Sequence, residues 1–148
     1  MSQIFTDKQQ MGECDHKFSA MNVKAINDLT YQVRGAIFRV HSSLGPGLLE
    51  SVYIAALVYE LTLLNMFVQT QIGVPVNYNG VSLELGFRMD ILVENQIILE
   101  IKSVEALHDV HKKQLLTYLK LADKKVGLLI NFNVASLKDR ESLVRIIN

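Results

Sequence analysis

Residues 88–103 read RMDILVENQIILEIKS, and the way this stretch folds back on itself decides the reading of the whole chain. Ile91-Leu92-Val93 and Ile97-Ile98-Leu99 are continuous apolar runs on either side of Glu94-Asn95-Gln96. Strands apolar on both faces are interior strands, covered on both sides. The stretch therefore predicts two central strands joined by a short loop. Glu100 and Lys102 are two apart and leave the same face of their strand. Asp90 joins them only if the loop is odd in length. A loop of about three residues sets Asp90 opposite Glu100 and Arg88 opposite Lys102, whereas a two-residue loop sends Asp90 to the other face.

Upstream the period is two. Ile72, Val74, Val76 and Tyr78 alternate with polar or small residues, Asn79-Gly80 is a two-residue hairpin signal, and Val81, Leu83, Leu85, Phe87 and Met89 alternate on the way back. Before that the period is helical. A helix capped by Asn27 or Asp28 carries Leu29, Val33, Ala36, Ile37, Val40 and Leu44, and Gly45-Pro46-Gly47 ends it. A second helix from near Leu48 places Leu49, Val52, Tyr53, Ala56, Leu57, Leu61 and Leu64 on its apolar face. Downstream, a helix over 104–122 turns Leu107, Val110, Leu115, Tyr118 and Leu119 inward, KVGLLINF (125–132) reads as a buried strand, and 142–148 as a short one. The order α-α-β-β-β-α-β indicates an α/β fold with a mixed central sheet flanked by helices. Residues 1–22 are polar and without period, which suggests a flexible N-terminal tail before a single domain over 23–148.

The bulk properties narrow the function. The chain has 148 residues and 49% apolar composition, normal for one globular domain. No apolar run approaches the roughly 20 residues of a membrane helix. The N-terminus lacks the apolar core of a secretory signal, and the lone Cys14 fits a reducing cytoplasm. Formal net charge is zero, so global charge does not announce a nucleic-acid binder. Locally, 102–125 holds six lysines against Glu105, Asp109 and Asp123, either a solvated helix face or a phosphate-facing patch.

Two carboxylates side by side at the end of an apolar strand repel one another unless a positive group sits between them. Mg²⁺ is commonly held by one or two carboxylates with waters and substrate phosphate, and Lys102 beside it would orient water or stabilise charge on the phosphate. Asp90, Glu100 and Lys102 thus point to phosphodiester hydrolysis. A surface ion pair is the plainer reading of so short a pattern.

Gly47-Leu48-Leu49-Glu50-Ser51-Val52-Tyr53 fits G-x-x-E-x-x-Y, and RMDILV (88–93), LEIKS (99–103) and GLLINF (127–132) follow in order. On these motifs the chain, from about Asn27 onward, resembles the GxxExxY protein family, a branch of the PD-(D/E)XK nuclease superfamily. The resemblance implies a restriction-endonuclease-like αβββαβ core. It implies Asp90 and Glu100 as metal ligands and Lys102 as the catalytic lysine, with Glu50 as the extra acidic residue and metal ligand found in many members. Gln114 and Tyr118, one helical turn apart, look like the Q-x-x-x-Y motif of RecB-like and Cas4-like nucleases, where both face the active site. Met89 stands where the superfamily's name-giving proline would be. Read from the residues alone, Glu50 also suits a helix N-terminus, Gln114 a solvated helix face and Tyr118 the core, while His111, about one turn before Gln114, suits either the surface or contact with a phosphate.

The expected activity is that of a metal-dependent nuclease using Mg²⁺ or Mn²⁺ on nucleic acid, with DNA the expected substrate, in the cytoplasm and without membrane attachment. The alternative is a nuclease-fold module that binds nucleic acid or protein with little or no catalysis. Homodimerisation would supply surface for gripping a duplex that a small neutral chain lacks.

Overall fold

The computed structural model describes the backbone of residues 3–84 and 86–148 and the side chains of 22–84 and 86–148. The chain divides into two compact units, Met1–Arg34 and Gly35–Asn148. Helix α1 spans Gln3–Leu44 and so begins well before the cap expected at Asn27 or Asp28, both of which are exposed residues within it. The side chains of the expected tail, up to residue 21, lie outside the described residues. In the first unit Thr30 Oγ1 donates back to Ile26 O at 2.7 Å.

In the second unit α1 stops at Leu44, where Gly45 takes φ +65 and its N–H returns to His41 O at 2.8 Å, a left-handed helix end that glycine adopts without penalty. The unit continues as α2 (Glu50–Leu63), β1 (Val68–Gly73), β2 (Val76–Tyr78), β3 (Val81–Leu83), β4 (Arg88–Val93), β5 (Ile97–Lys102), α3 (Asp109–Leu121), β6 (Val126–Asn131) and β7 (Leu143–Ile147). The central sheet has the order β1-β4-β5-β6-β7. Only β5 and β6 are parallel, joined through α3, and the other neighbours are antiparallel. This is the expected mixed sheet, with α2, β1, β4, β5, α3 and β6 forming the αβββαβ core. Among the described residues no helix is long and apolar enough to cross a membrane.

The two sheet faces are covered by different helices. Leu92, Ile98 and Leu129 join Leu115, Tyr118 and Leu119 of α3 in one buried cluster, and Gly127 belongs here because a Cβ on it would lie 2.9 Å from Leu115. α2 packs on β4 and β5 and buries Tyr53, Leu57 and Leu61. Leu49 and Val52, expected on that buried face, are instead 75% and 41% exposed.

Three further expectations are corrected. Asn79 and Gly80, φ +50 and +78, make the expected hairpin, but β2 and β3 form a separate two-stranded sheet. The return strand ends as β3 at Leu83 and resumes as β4 at Arg88, Gly86 takes φ +85, and Val81, expected on the apolar face, is 58% exposed. Helix α3 starts at Asp109 rather than 104, because the chain at Val104 is held by Asn131: Val104 N–H donates to Asn131 Oδ1 at 3.1 Å, and Asn131 Nδ2 donates to Val104 O at 2.9 Å. Val110, in the first turn, is accordingly 65% exposed rather than inward.

Candidate active site

The hairpin between β4 and β5 sets the register on which the site depends. Ile91 pairs with Leu99, Leu92 with Ile98 and Val93 with Ile97, so the next position brings Asp90 level with Glu100. The turn itself is tight: Glu94 and Asn95 both take left-handed φ, +51 and +53, and Gln96 N–H donates to Val93 O at 2.9 Å. Gln96 is then one residue extra on the β5 side, as in a bulge, and keeps the spacing odd.

A second device acts on Asp90 from β1. Met89 and Leu92 are three apart, yet both belong to the buried cluster under α3. Residues three apart on a flat strand leave opposite faces, so the β1–β4 ribbon turns over between them. The paired positions Thr70–Ile91 and Ile72–Met89 bracket Gln71, which lies level with Asp90 and has φ +52. Left-handed backbone is uncommon for a residue with a side chain, and here it coincides with the turnover.

Asp90 is released from the ladder by this turn and uses its side chain instead: Oδ2 accepts the Ile101 N–H at 2.8 Å. Glu100 is 4% exposed, and its Oε2 has no hydrogen-bond partner. Burial, the hydrogen bond to Asp90 and the charge of Asp90 push the Glu100 carboxyl up to about 9, against a smaller opposing effect of Lys102. Lys102 ends β5, half-buried.

Glu50, the first residue of α2, is exposed, and its Oε1 accepts the Ser103 N–H at 3.4 Å. Ser103 Oγ in turn donates to Leu48 O at 2.6 Å. Tyr53 completes the clasp. Its hydroxyl donates to Gly45 O at 2.6 Å and accepts from Leu48 N at 3.1 Å, and its ring stacks on Phe132 at 4.5 Å. The G-x-x-E-x-x-Y spacing thus describes one turn: Gly47 at φ +95, Glu50 opening the helix, and Tyr53 a turn later closing back on the loop. On α3, Gln114 Nε2 donates to the Tyr118 hydroxyl at 2.9 Å. Burial and the Glu100 carboxyl raise the Tyr118 phenol above its usual value, so this pair borders the carboxylates from the α3 side.

The structure therefore brings Asp90 and Glu100 together, sets Lys102 on the same strand, and arranges Glu50 and Gln114–Tyr118 around them. Among the described residues no group of three or more His, Cys, Asp and Glu side chains is gathered for a metal ion; the carboxylate core is a pair. A pair still suits Mg²⁺, which keeps several waters and is held by one or two carboxylates plus substrate phosphate, and the orphaned Glu100 Oε2 is the kind of buried oxygen that a cation satisfies. Sequence reasoning gave no role to Ser103 or Asn131, which pin the end of β5. For His111 it favoured the surface over contact with a phosphate. His111 is half-buried, accepts the His108 N–H on Nδ1 at 3.0 Å, and is kept below the usual histidine range by burial and by Lys102. The lysine-rich stretch is not one patch. Lys124 bonds to Asn95 at 3.2 Å, at the far end of β5 from Lys102, about 20 Å away at the rise of a strand.

A family model described as the PD-(D/E)XK nuclease superfamily matches residues 27–145. The chain belongs to the PD-(D/E)XK nuclease superfamily. Comparison with curated proteins and with solved structures finds no match. PD-(D/E)XK nucleases generally use divalent metal ions and act on nucleic acid.

Proposed function

We propose that this protein is a metal-dependent nuclease that hydrolyses phosphodiester bonds of DNA, with Asp90 and Glu100 holding a Mg²⁺ or Mn²⁺ ion. The observation that carries the reading is the buried Glu100 carboxyl, with one oxygen unpartnered, crowded against Asp90 at the end of the strand that bears Lys102. A divalent cation bound there supplies polarisation of a phosphoryl oxygen and a lowered pKa for bound water.

The remaining work falls to the chain. Asp90, tied to the Ile101 N–H, has one oxygen committed to the backbone and the other available to a ligand. Lys102 holds the nucleophilic water or stabilises charge developing on the phosphate. Glu50, at the start of α2 and bonded to Ser103 N–H, would add negative charge toward such an ion. Gln114 donates to the Tyr118 hydroxyl, and the pair's position on the α3 side of the carboxylates supports placing the chain with the Q-x-x-x-Y nucleases. The clasp formed by Gly47, Glu50 and Tyr53 supports the GxxExxY branch. A cytoplasmic protein working as a homodimer completes this reading, and light scattering tests the dimer.

The test is cleavage of plasmid DNA with Mg²⁺, with Mn²⁺ and with EDTA. Cleavage that needs the metal and disappears in Glu100→Ala and Lys102→Ala supports the reading. Equal activity in these variants contradicts it. The two-carboxylate core favours one second reading, a nuclease fold that binds without turnover, in which case DNA binds and remains intact in every metal.

A further inference from the structure

Strands β5 and β6 run parallel and end side by side at Lys102 and Asn131. The segments leaving them, toward α3 and toward β7, diverge around a cleft of about 480 Å³ that begins at Asn131. Crevices outside the carboxyl ends of parallel strands are where α/β sheets take their ligands, and this volume is in the range of ligand sites. The floor is apolar, from Ala106, Leu107 and Val134. The β6–β7 wall carries Lys138 and Arg140, and the α3 wall carries Lys112. Lys112 lies 4.0 Å from Asp109, whereas Lys138 and Arg140 have no carboxylate partner among the described residues.

The turn that presents these two cations is held in place. Arg140 takes φ +67, a left-handed conformation that costs a side-chain-bearing residue about 1–2 kcal/mol, and such strain persists only where surrounding structure over-determines it. Here Arg140 N–H donates to Leu143 O at 2.9 Å, and Lys138 O accepts from Ser142 N and Leu143 N at 3.0 and 3.1 Å. Lys138 N–H donates to Ser142 Oγ at 2.8 Å. Glu105 and Glu141 also line the cleft, but among the described residues neither forms an ion pair with Lys138 or Arg140, and two neighbouring cations without a carboxylate partner suit a strand held at one phosphate.

We propose that this cleft seats the nucleic-acid strand next to the scissile phosphate, with Lys138 and Arg140 gripping one backbone phosphate and the apolar floor under the adjoining nucleoside. The proposal rests on the nuclease reading of the neighbouring site and adds the path of the substrate. The test is binding of a fluorescein-labelled single-stranded 20-mer oligodeoxynucleotide in EDTA, across a salt series, by the full chain and by the double variant Lys138→Ala/Arg140→Ala. Both side chains are exposed, and a melting curve checks that the fold survives. The expected result is an affinity about fivefold to tenfold lower, with the slope of log affinity against log salt smaller by about 0.7, the share of one single-strand phosphate. Lys120→Ala/Lys124→Ala, at the other end of the sheet, should leave both unchanged. Equal loss in the two double variants, no loss in the first, or no binding by the wild type overturns the proposal. Hydrolysis of bis(4-nitrophenyl) phosphate with Mn²⁺ separates the two readings. Turnover of this diester should vanish in Glu100→Gln. Failure of the wild type to turn it over counts against the nuclease reading, while the binding comparison still decides the cleft.

Discussion

Glu100 has one carboxyl oxygen sealed from water and from every donor, and the cost of that arrangement makes it measurable. Its carboxyl titrates at 4.5 in the reference state and at about 9 when folded. Between these values the folded chain keeps a proton that the unfolded chain has lost. Stability from this group is therefore fully present below about pH 4.5 and is lost as pH rises through about 9. In EDTA the melting temperature should fall from pH 5 to pH 9, and Glu100→Gln should flatten the curve and be the more stable protein near pH 9, because its side chain has no proton to lose. Mn²⁺ should reverse the ranking, since only the wild type gains binding energy, about 2.7 kcal/mol at one hundred times its dissociation constant. Lys102→Ala should keep that metal-dependent stabilisation while losing about 100-fold or more in cleavage rate. That Glu100 and Lys102 share a face was legible in the sequence from strand period two, whereas the placing of Asp90 opposite Glu100 waited on the length of the turn, which the register supplies. Ser103 and Asn131 were not legible, because their partners are backbone atoms of Leu48 and Val104, and no residue pattern encodes a distant carbonyl.

Elements carry the register. Gln96 is the extra residue in the β4–β5 turn, and deleting it should send Asp90 to the opposite face from Glu100, abolishing metal-dependent stabilisation in a melting assay even where helix content by circular dichroism survives. The packing of α3 rests on Gly127. Gly127→Ala meets the fully buried Leu115 and should cost about 1–3 kcal/mol by overpacking, read from urea denaturation. The central strands and the Asn79-Gly80 turn followed from apolar runs and turn chemistry. The early start expected for α3 failed because helical spacing over 104–108 competes with the Asn131 clamp. The unbroken return strand failed because alternation continues through Gly86, whose positive φ ends pairing.

At the scale of the molecule, zero net charge hides an uneven layout. Lys102 and Lys112 lie toward the carboxyl end of β5 and the start of α3, while Lys120 and Lys124 lie toward the other end, so the run of lysines in the sequence divides between two regions of the fold. The αβββαβ order was readable from periodicity and chain order, whereas the turnover of the β1–β4 ribbon at Gln71 required the three-dimensional arrangement. The most direct measurement is an anomalous-scattering map from a crystal of the protein soaked in Mn²⁺. The account predicts one peak between Asp90 and Glu100, at roughly 2 Å from a carboxylate oxygen of each, and its loss in Glu100→Gln. A map with no peak there, or with the two carboxylates turned away from a common ion, contradicts it.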